Sequence, residues 1–324
     1  MRRREFITLV GGLFAWPVAA HAQQRQPQLV GILSQDLQPG LLETFRDELR
    51  KLGYVEGQNI KIELRDAAGR NERLPALAEE LLRLKANVIV AVNTPAVQAA
   101  KKATKTVPVV MMRVADPVKS GLVVSLARPG GNVTGLSFMP DALGPKGVEL
   151  LHEILPRMTS IAALYQGNNP GAVIIIDEVE RQGAQIGLKL VRAPVHDEEE
   201  RDLAHAFEIA SEARAEALFV MDDGAITKRR QQILGLAAKH RLPVVSIYKD
   251  FAAAGGLIAY GPNLNVVYRR AADYVDKLMK GEPASSLPVE QPAKFDLAIN
   301  LKTAKALGIS IPQSVLIRAD ELIE

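Results

Sequence analysis

From residue 28 onward, short apolar runs alternate with segments whose apolar positions recur at helical spacing. Residues 29–33 form an apolar run of strand length. Leu41, Leu42, Phe45, Leu49 and Leu52 then fall on one helical face that stops at Gly53. The same reading predicts strands over 59–64, 87–92, 107–112 and 133–137. Helices are predicted over 71–84, after Pro95 and, in a shorter form, over 121–127, ahead of a turn at Pro129-Gly130-Gly131. The alternation restarts with helices over 144–154, 170–186, 199–213, 225–240 and 266–279. Strands over 161–165, 188–193, 217–221, 243–247, 257–260 and 295–299 interleave with them. Near-continuous apolar strands separated by helices read as parallel sheets covered on both faces. Two such runs in 324 residues predict an α/β protein of two similar lobes.

The first residues do not fit this pattern. Arg2, Arg3 and Arg4 precede a mostly apolar stretch from Phe6 to Ala20, and Ala20-His21-Ala22 is an A-x-A cleavage site. The stretch is too short to span a bilayer, which takes about 20 residues, and Gly11, Gly12 and Pro17 interrupt it. Residues 1–22 therefore read as a signal peptide cleaved after Ala22, which makes the mature protein periplasmic. Arg3-Arg4-Glu5-Phe6-Ile7 resembles the twin-arginine pattern; a general secretory signal carrying three arginines is the alternative. Loss of the segment lowers the net charge from +3 to +1. The basic balance is therefore mostly in the export signal and does not point to nucleic acid.

Composition removes further classes. The chain is 48% hydrophobic and 24% charged, an ordinary globular balance. It has no cysteine, which excludes disulfides, thiolate metal sites, a cysteine nucleophile and a lipid-anchoring cysteine. No G-x-G-x-x-G, Walker loop, G-x-S-x-G elbow or H-E-x-x-H is present. His152, His196, His205 and His240 lie in helical or polar surface contexts. Asp197 to Glu200 read as a solvated helix start rather than a metal site. Lys228-Arg229-Arg230 lack the interleaved aromatics of a nucleic-acid patch. The expectation is no enzyme, no cofactor, no metal and no nucleic acid.

In open parallel sheets ligands bind outside the carboxyl ends of strands. Taken in order, those positions are Ser34 and Gln35, Asn93 and Thr94, Arg113 to Asp116, Ser137, Tyr165 with Asn168 and Asn169, Asp222 and Asp223, Tyr248 and Tyr260. Hydroxyls, amides, aromatics and acids recur, which suits a small polar molecule. Singly, each is equally well explained as a helix cap or turn residue. The set as a whole favours a site.

Several stretches resemble the substrate-binding proteins of ABC importers, in particular the tryptophan/tyrosine-type periplasmic binding proteins. They are Leu52-Gly53-Tyr54-Val55-Glu56-Gly57-Gln58-Asn59, Asp116-Pro117-Val118, Ala127-Arg128-Pro129-Gly130-Gly131-Asn132-Val133-Thr134-Gly135 and Ala254-Gly255-Gly256-Leu257. The most distinctive runs from Leu287-Pro288-Val289-Glu290-Gln291-Pro292 through Asn300 to Gly308. The resemblance covers nearly the whole mature chain. It implies two Rossmann-like lobes of the periplasmic binding protein type I kind, joined by a hinge, with the ligand cleft between them. The first lobe would comprise 28–138 with 264–284 and the second 139–262 with 288–300, while 301–324 would be a C-terminal extension packed on the lobes.

It further implies that Thr94, at a helix N-terminus, suits a ligand carboxylate. Asp223 could hold a ligand ammonium, and residues 165–169 form the first polar loop of the second lobe. Asp116 occupies a turn near the cleft. Three positions depart from the family pattern. Asn93 stands where glycine is expected, Phe138 where a polar residue is expected, and Arg113 where a small residue is usual. Arg113 either points into the cleft as a carboxylate partner or pairs with a neighbouring acid. The function implied is a periplasmic solute-binding component of an ABC importer, a monomer. It would capture an amino acid, aromatic or otherwise, or a related carboxylate by hinge closure. The ligand would pass to permease membrane subunits, without membrane insertion of its own. A periplasmic sensor presenting its bound form to a signalling receptor is the alternative.

Overall fold

The computed structural model describes residues 27–196, 200–221 and 223–324. The signal segment, Asp197 to Glu199 and Asp222 lie outside them. In chain order the first run comprises β1 (Gln28–Ser34), α1 (Pro39–Lys51), β2 (Ile60–Asp66), α2 (Leu74–Arg83), β3 (Val88–Val92), α3 (Thr94–Ala103), β4 (Val109–Ala115) and β5 (Val133–Phe138). The second begins with α4 (Pro140–Ile154), β6 (Ser160–Gln166), α5 (Pro170–Gln185), β7 (Lys189–Val195), α6 (Glu200–Glu212), β8 (Ala217–Val220), α7 (Gly224–Lys228) and α8 (Arg230–Lys239). It continues through β9 (Val244–Ser246), α9 (Lys249–Ala253), β10 (Ile258–Pro262) and α10 (Leu264–Met279). The chain ends with β11 (Phe295–Asn300), α11 (Leu301–Leu307), α12 (Gln313–Leu316) and β12 (Glu321–Ile323).

These strands form two sheets. The first has the order β2-β1-β3-β4-β5 and is wholly parallel. The second runs β12-β11-β10-β9-β8-β6-β7. Each is covered on both faces, as the all-buried VIVAV of β3 requires. On the first sheet, Phe45 and Leu49 of α1 pack with Tyr268 and Val275 of α10 on one face, and α2 and α3 cover the other. On the second, α4 and α5 cover one face while α6 and α8 cover the other.

The chain crosses between the sheets three times: from β5 to α4, from β10 to α10, and between Glu290 and β11. Helix α10 thus returns to the first lobe. Residues 288–290, expected in the second lobe, instead run along β5. Glu290 forms a parallel bridge to Leu136 and accepts from the Ser137 backbone N–H at 2.9 Å. The Arg270 guanidinium grips the Glu290 carboxylate through two bonds of 2.6 Å and holds it below the usual carboxylate range. Residues 301–324 contribute α11, α12 and the edge strand β12, which pairs parallel with β11.

Three local expectations are corrected. Residues 121–127 form turns instead of a helix, because Gly121 has φ +67° and Lys101 Nζ binds the carbonyls of Gly121 and Leu122. The helix expected over 225–240 divides at Arg229, whose backbone leaves helical geometry (φ −97°, ψ 14°). The second sheet is not wholly parallel: β11 enters directly from the third crossover and pairs antiparallel with β10.

Gly261 of β10 lies where the second crossover begins, and a Cβ there would overlap the backbone carbonyl of Ile247. Gly261→Ala is expected to destabilise by about 3 kcal/mol, since backbone cannot yield as a side chain does. Gly235 lies inside α8 with open space around it, so Gly235→Ala should stabilise by about 0.5–1 kcal/mol. Urea denaturation of the two variants beside the parent checks both signs.

Candidate ligand-binding cleft

A crevice for ligand forms where strand order reverses in a doubly wound sheet. In the first sheet that point lies between β1 and β3, and in the second between β6 and β8. Ser34 and Gln35 leave β1, and Asn93 and Thr94 leave β3. Gln166 to Asn169 leave β6, and Asp223 follows β8. The two crevices face one another. Gln35 Nε2 donates to Gln166 Oε1 across the gap at 2.5 Å and to Asn71 Oδ1 at 2.8 Å. Asn71 in turn reaches Asn168 at 3.3 Å, and Gln166 Nε2 donates to the Gly69 carbonyl at 3.3 Å. Lys228 Nζ of the second lobe donates to the Ala68 carbonyl of the first.

Inside this rim both lobes line one cavity. The first lobe supplies Asn93, Thr94, Arg113, Ala115 and Phe138, and the second supplies Asn169, Gly171, Ala172, Ile175, Met221, Asp223 and Tyr248. Its free space is about 10 Å³, roughly what one water molecule needs. Small-molecule sites are usually about 300 Å³ or more, so a ligand must enter with the lobes apart.

The lining residues are tightly placed. Asn93 has φ 76° and ψ 155°, backbone that favours glycine, which accounts for the glycine expected there. Its Nδ2 donates to Gln35 Oε1 at 3.0 Å. Thr94 begins α3, is 1% exposed, and meets α5 at Gly171, where a Cβ would overlap Thr94 Oγ1. Asn169 does two things at once: Oδ1 caps α5 by accepting from the Gly171 N–H at 2.9 Å, and Nδ2 donates to Asp223 Oδ2 at 3.1 Å. Asp223 itself is 2% exposed. Arg113 lies over the Tyr248 ring, 4.6 Å from its centroid, and its Nε donates to the Tyr248 hydroxyl at 3.0 Å. Phe138 adds a tilted ring 6.4 Å from Tyr248. Behind this wall Tyr268 is buried, which pushes its phenol pKa up, while the Arg113 charge works against that shift.

Asn93, Thr94, Arg113, Asn169, Asp223 and Tyr248 thus share one cavity. The remaining described candidates do not line it. Gln35 is wholly buried in the cross-lobe amide contacts, and Asn168 lies on the exposed rim. Ser34 and Ser137 are fully buried beneath the crevice, and Tyr165 packs in the core of the second lobe. Asp116 (φ 36°) accepts from the Lys119 N–H at 2.9 Å within its own turn and borders a neighbouring groove. Tyr260, in the middle of β10 and not at its end, stacks on Phe295 at 5.6 Å, away from the cavity. Asp222 lies outside the described residues. Sequence reasoning missed Gly171, Ala172 and Ile175 on the first turns of α5, and Met221. The small pair Gly171-Ala172 at a helix start was the available signal for a close approach.

Among the described residues no group of three histidine or acidic side chains could hold a metal, and no helix is long and apolar enough to cross a membrane.

Comparisons with known proteins agree on one family. The model for the ABC transporter substrate binding protein family matches residues 30–323. A tyrosine-binding protein of Clostridioides difficile (strain R20291) is 27% identical over 281 residues, 86% of this chain and 80% of that protein. The structure of an ABC domain from Streptococcus pneumoniae in complex with L-Trp matches with a TM-score of 0.84 at 26% identity, covering 92% of this chain and 100% of that one. The ligand-free, open structure of a substrate-binding protein with adhesive properties from Clostridium difficile matches with a TM-score of 0.65 at 25% identity, covering 91% and 99%. With two lobes of periplasmic binding protein type I-like fold, the chain belongs to the ABC transporter substrate-binding protein family.

Proposed function

We propose that this chain is the exported solute-capturing component of an ABC importer and that it holds a small amino acid with an aromatic body between its lobes. The observation that carries the reading is the single cavity built jointly by the reversal points of both sheets. Its contents support the ligand class: buried Asp223 suits an ammonium, Thr94 and Arg113 suit a carboxylate, and Phe138 and Tyr248 offer aromatic faces. The tyrosine-binding relative and the L-Trp complex point the same way. Proteins of this family bind a substrate, a class distinct from enzymes.

Closure about the three crossovers would couple binding to delivery. At nearly equal identity and coverage, the chain matches the L-Trp complex with a TM-score of 0.84 and the ligand-free, open structure with 0.65. That difference supports a closed arrangement here, as do the cross-lobe bonds of Gln35 and Arg113. A ligand that contacts both walls favours lobes drawn together around it over the open form, with the walls further apart than in this ligand-free cavity of about 10 Å³, and the closed rim is the surface a permease would read.

Small-angle scattering of the mature protein with and without saturating L-tyrosine or L-tryptophan tests the reading. A smaller radius of gyration with ligand is expected, together with a raised melting temperature. At one hundred times the dissociation constant the stabilisation is about 2.7 kcal/mol. Binding that left the radius of gyration unchanged would remove the closure mechanism; no melting shift with either amino acid would remove the ligand class.

A further inference from the structure

We propose that the side-chain amides at the mouth of the cleft form a latch that shuts the empty protein on itself. The latched form is autoinhibited: it has no room for a ligand and must open before capture. The proposal deepens the closure reading above and rests on it.

Strand order places the latch. The three crossovers join the lobes beside β5 in the first sheet and beside β10 and β11 in the second. Arg113 and Tyr248 line the cavity from β4 and from the end of β9. Gln35 and Gln166 stand at the ends of β1 and β6, further across both sheets from the crossovers. A hinge rotation separates points in proportion to their distance from its axis, so contacts at this edge part first and hold with the longest lever.

Every polar side-chain atom of the central pair is used. Gln35 is wholly buried; its Oε1 accepts from Asn93 Nδ2 at 3.0 Å, and its Nε2 donates to Asn71 Oδ1 at 2.8 Å. Those two partners belong to its own lobe and orient the amide toward the other, where Nε2 also donates to Gln166 Oε1 at 2.5 Å. Gln166 is 1% exposed and donates from Nε2 back to the Gly69 carbonyl of the first lobe at 3.3 Å. Asn71 Nδ2 extends the chain to Asn168 Oδ1, again across the gap. Buried amides need partners, and these find them in the opposite lobe without a ligand.

The facing backbone fits the latch. Gly224 opens α7 on the second lobe, and a Cβ there would lie 2.8 Å from Gln35 Cγ and 3.2 Å from Asp36 Cβ on the first. Glycine permits this close approach. With the amides joined, the cavity behind them keeps about 10 Å³, room for a single water molecule. Latch and ligand therefore exclude one another. Apparent affinity is the intrinsic affinity reduced by the share of molecules that are open, and the latch sets that share.

Two variants test it by different routes. Gln166→Leu removes the bonds, and Gly224→Ala sets a methyl group against Gln35; both act where the lobes meet, so both should fold like the parent. Small-angle scattering of the mature protein without ligand should give each a larger radius of gyration than the parent. A folded variant that keeps the parent's radius overturns the latch; if neither folds, Asn71→Ala replaces them with the same two outcomes. Calorimetry and stopped-flow mixing with L-tyrosine read the exclusion. Each variant should bind about two- to threefold more tightly than the parent, with the gain in the association rate, which corresponds to about half to two-thirds of the empty parent being latched. Weaker binding through faster dissociation would mean that the amides stay joined over the ligand, and would overturn the autoinhibition. The scattering arm contains no ligand, so it judges the latch even if the parent binds neither L-tyrosine nor L-tryptophan, in which case the aromatic ligand class falls by itself. If the parent binds L-tyrosine while the variants neither expand nor bind more tightly, only the latch falls.

Discussion

Asp223→Asn is expected to weaken binding of L-tyrosine or L-tryptophan by about 100-fold while leaving the melting temperature of the unliganded protein nearly unchanged. The carboxylate is 2% exposed and lines the cavity from the second lobe. It is held in place by the Asn169 amide, which donates to Oδ2 at 3.1 Å. Asparagine has the same shape and can present its carbonyl oxygen to Asn169, so that contact survives. What the change removes is the negative charge opposite a ligand ammonium. Removing one member of a buried, hydrogen-bonded charge pair costs about 2–5 kcal/mol, and each 1.4 kcal/mol is tenfold in affinity. Calorimetry on the variant checks the size of the loss. Tyr260→Phe is the control, with affinity expected within about twofold of the parent, because Tyr260 stacks on Phe295 outside the cavity. A loss for Asp223→Asn of threefold or less would mean that the ammonium is held elsewhere.

The strand-end positions divide between cavity and interior, and the physical reason is visible in particular residues. Asn93, Thr94, Asn169 and Asp223 leave β3, β6 and β8, the strands that flank the crevices, and all four line the cavity. Arg113 on β4 and Tyr248 after β9 line it as well, whereas Tyr260 stands in the middle of β10 and stacks on Phe295. Ser34 closes β1, which flanks a crevice, and Ser137 stands one residue before the end of the edge strand β5, but successive side chains on a strand face opposite ways. A one-residue difference in where the strand ends therefore decides between cleft and interior, and both serines are fully buried. Apolar periodicity carries no such information.

Strand direction and small irregularities were equally hard to read. Periodicity reports burial and not orientation, so the antiparallel entry of β11 beside β10 could not be seen in residues 295–299. The three residues of β12 are too few to show a pattern, and two of them are exposed. The departure at Arg113 was legible as an unexpected residue type. Its direction was not, because it depends on the register shift between β4 and β5. Its contact with the Tyr248 hydroxyl also lies 135 residues away in sequence, a separation no local pattern spans. Helix α10 packs on α1, a contact between segments far apart in the chain that no local pattern spans.

The largest mechanical effect is expected at Gly171, a position that the polarity of the loop before it conceals. Gly171 stands in the first turn of α5 on the second lobe, and a Cβ there would overlap Thr94 Oγ1 on the first. The overlap exists only when the lobes are together. In the open form Thr94 and the start of α5 separate, so Gly171→Val should fold with little change in its denaturation midpoint. Closure, however, would have to displace the backbone of α3 or α5, and packed interiors resist that. Apparent affinity falls in proportion to the fraction of molecules able to adopt the competent state. A closure penalty of about 3 kcal/mol, typical of overpacking, corresponds to a loss of about 100-fold. Scattering should show no compaction at ligand concentrations that compact the parent. The steric origin can be isolated with a cycle. Gly171→Ala should bind more weakly than the parent, and Thr94→Ala added to it should recover part of the loss by removing the hydroxyl that the new Cβ meets. If Gly171→Val compacted with ligand like the parent, contact between Thr94 and α5 would not be part of the closed state, and the cavity described here would not be the one that holds the ligand.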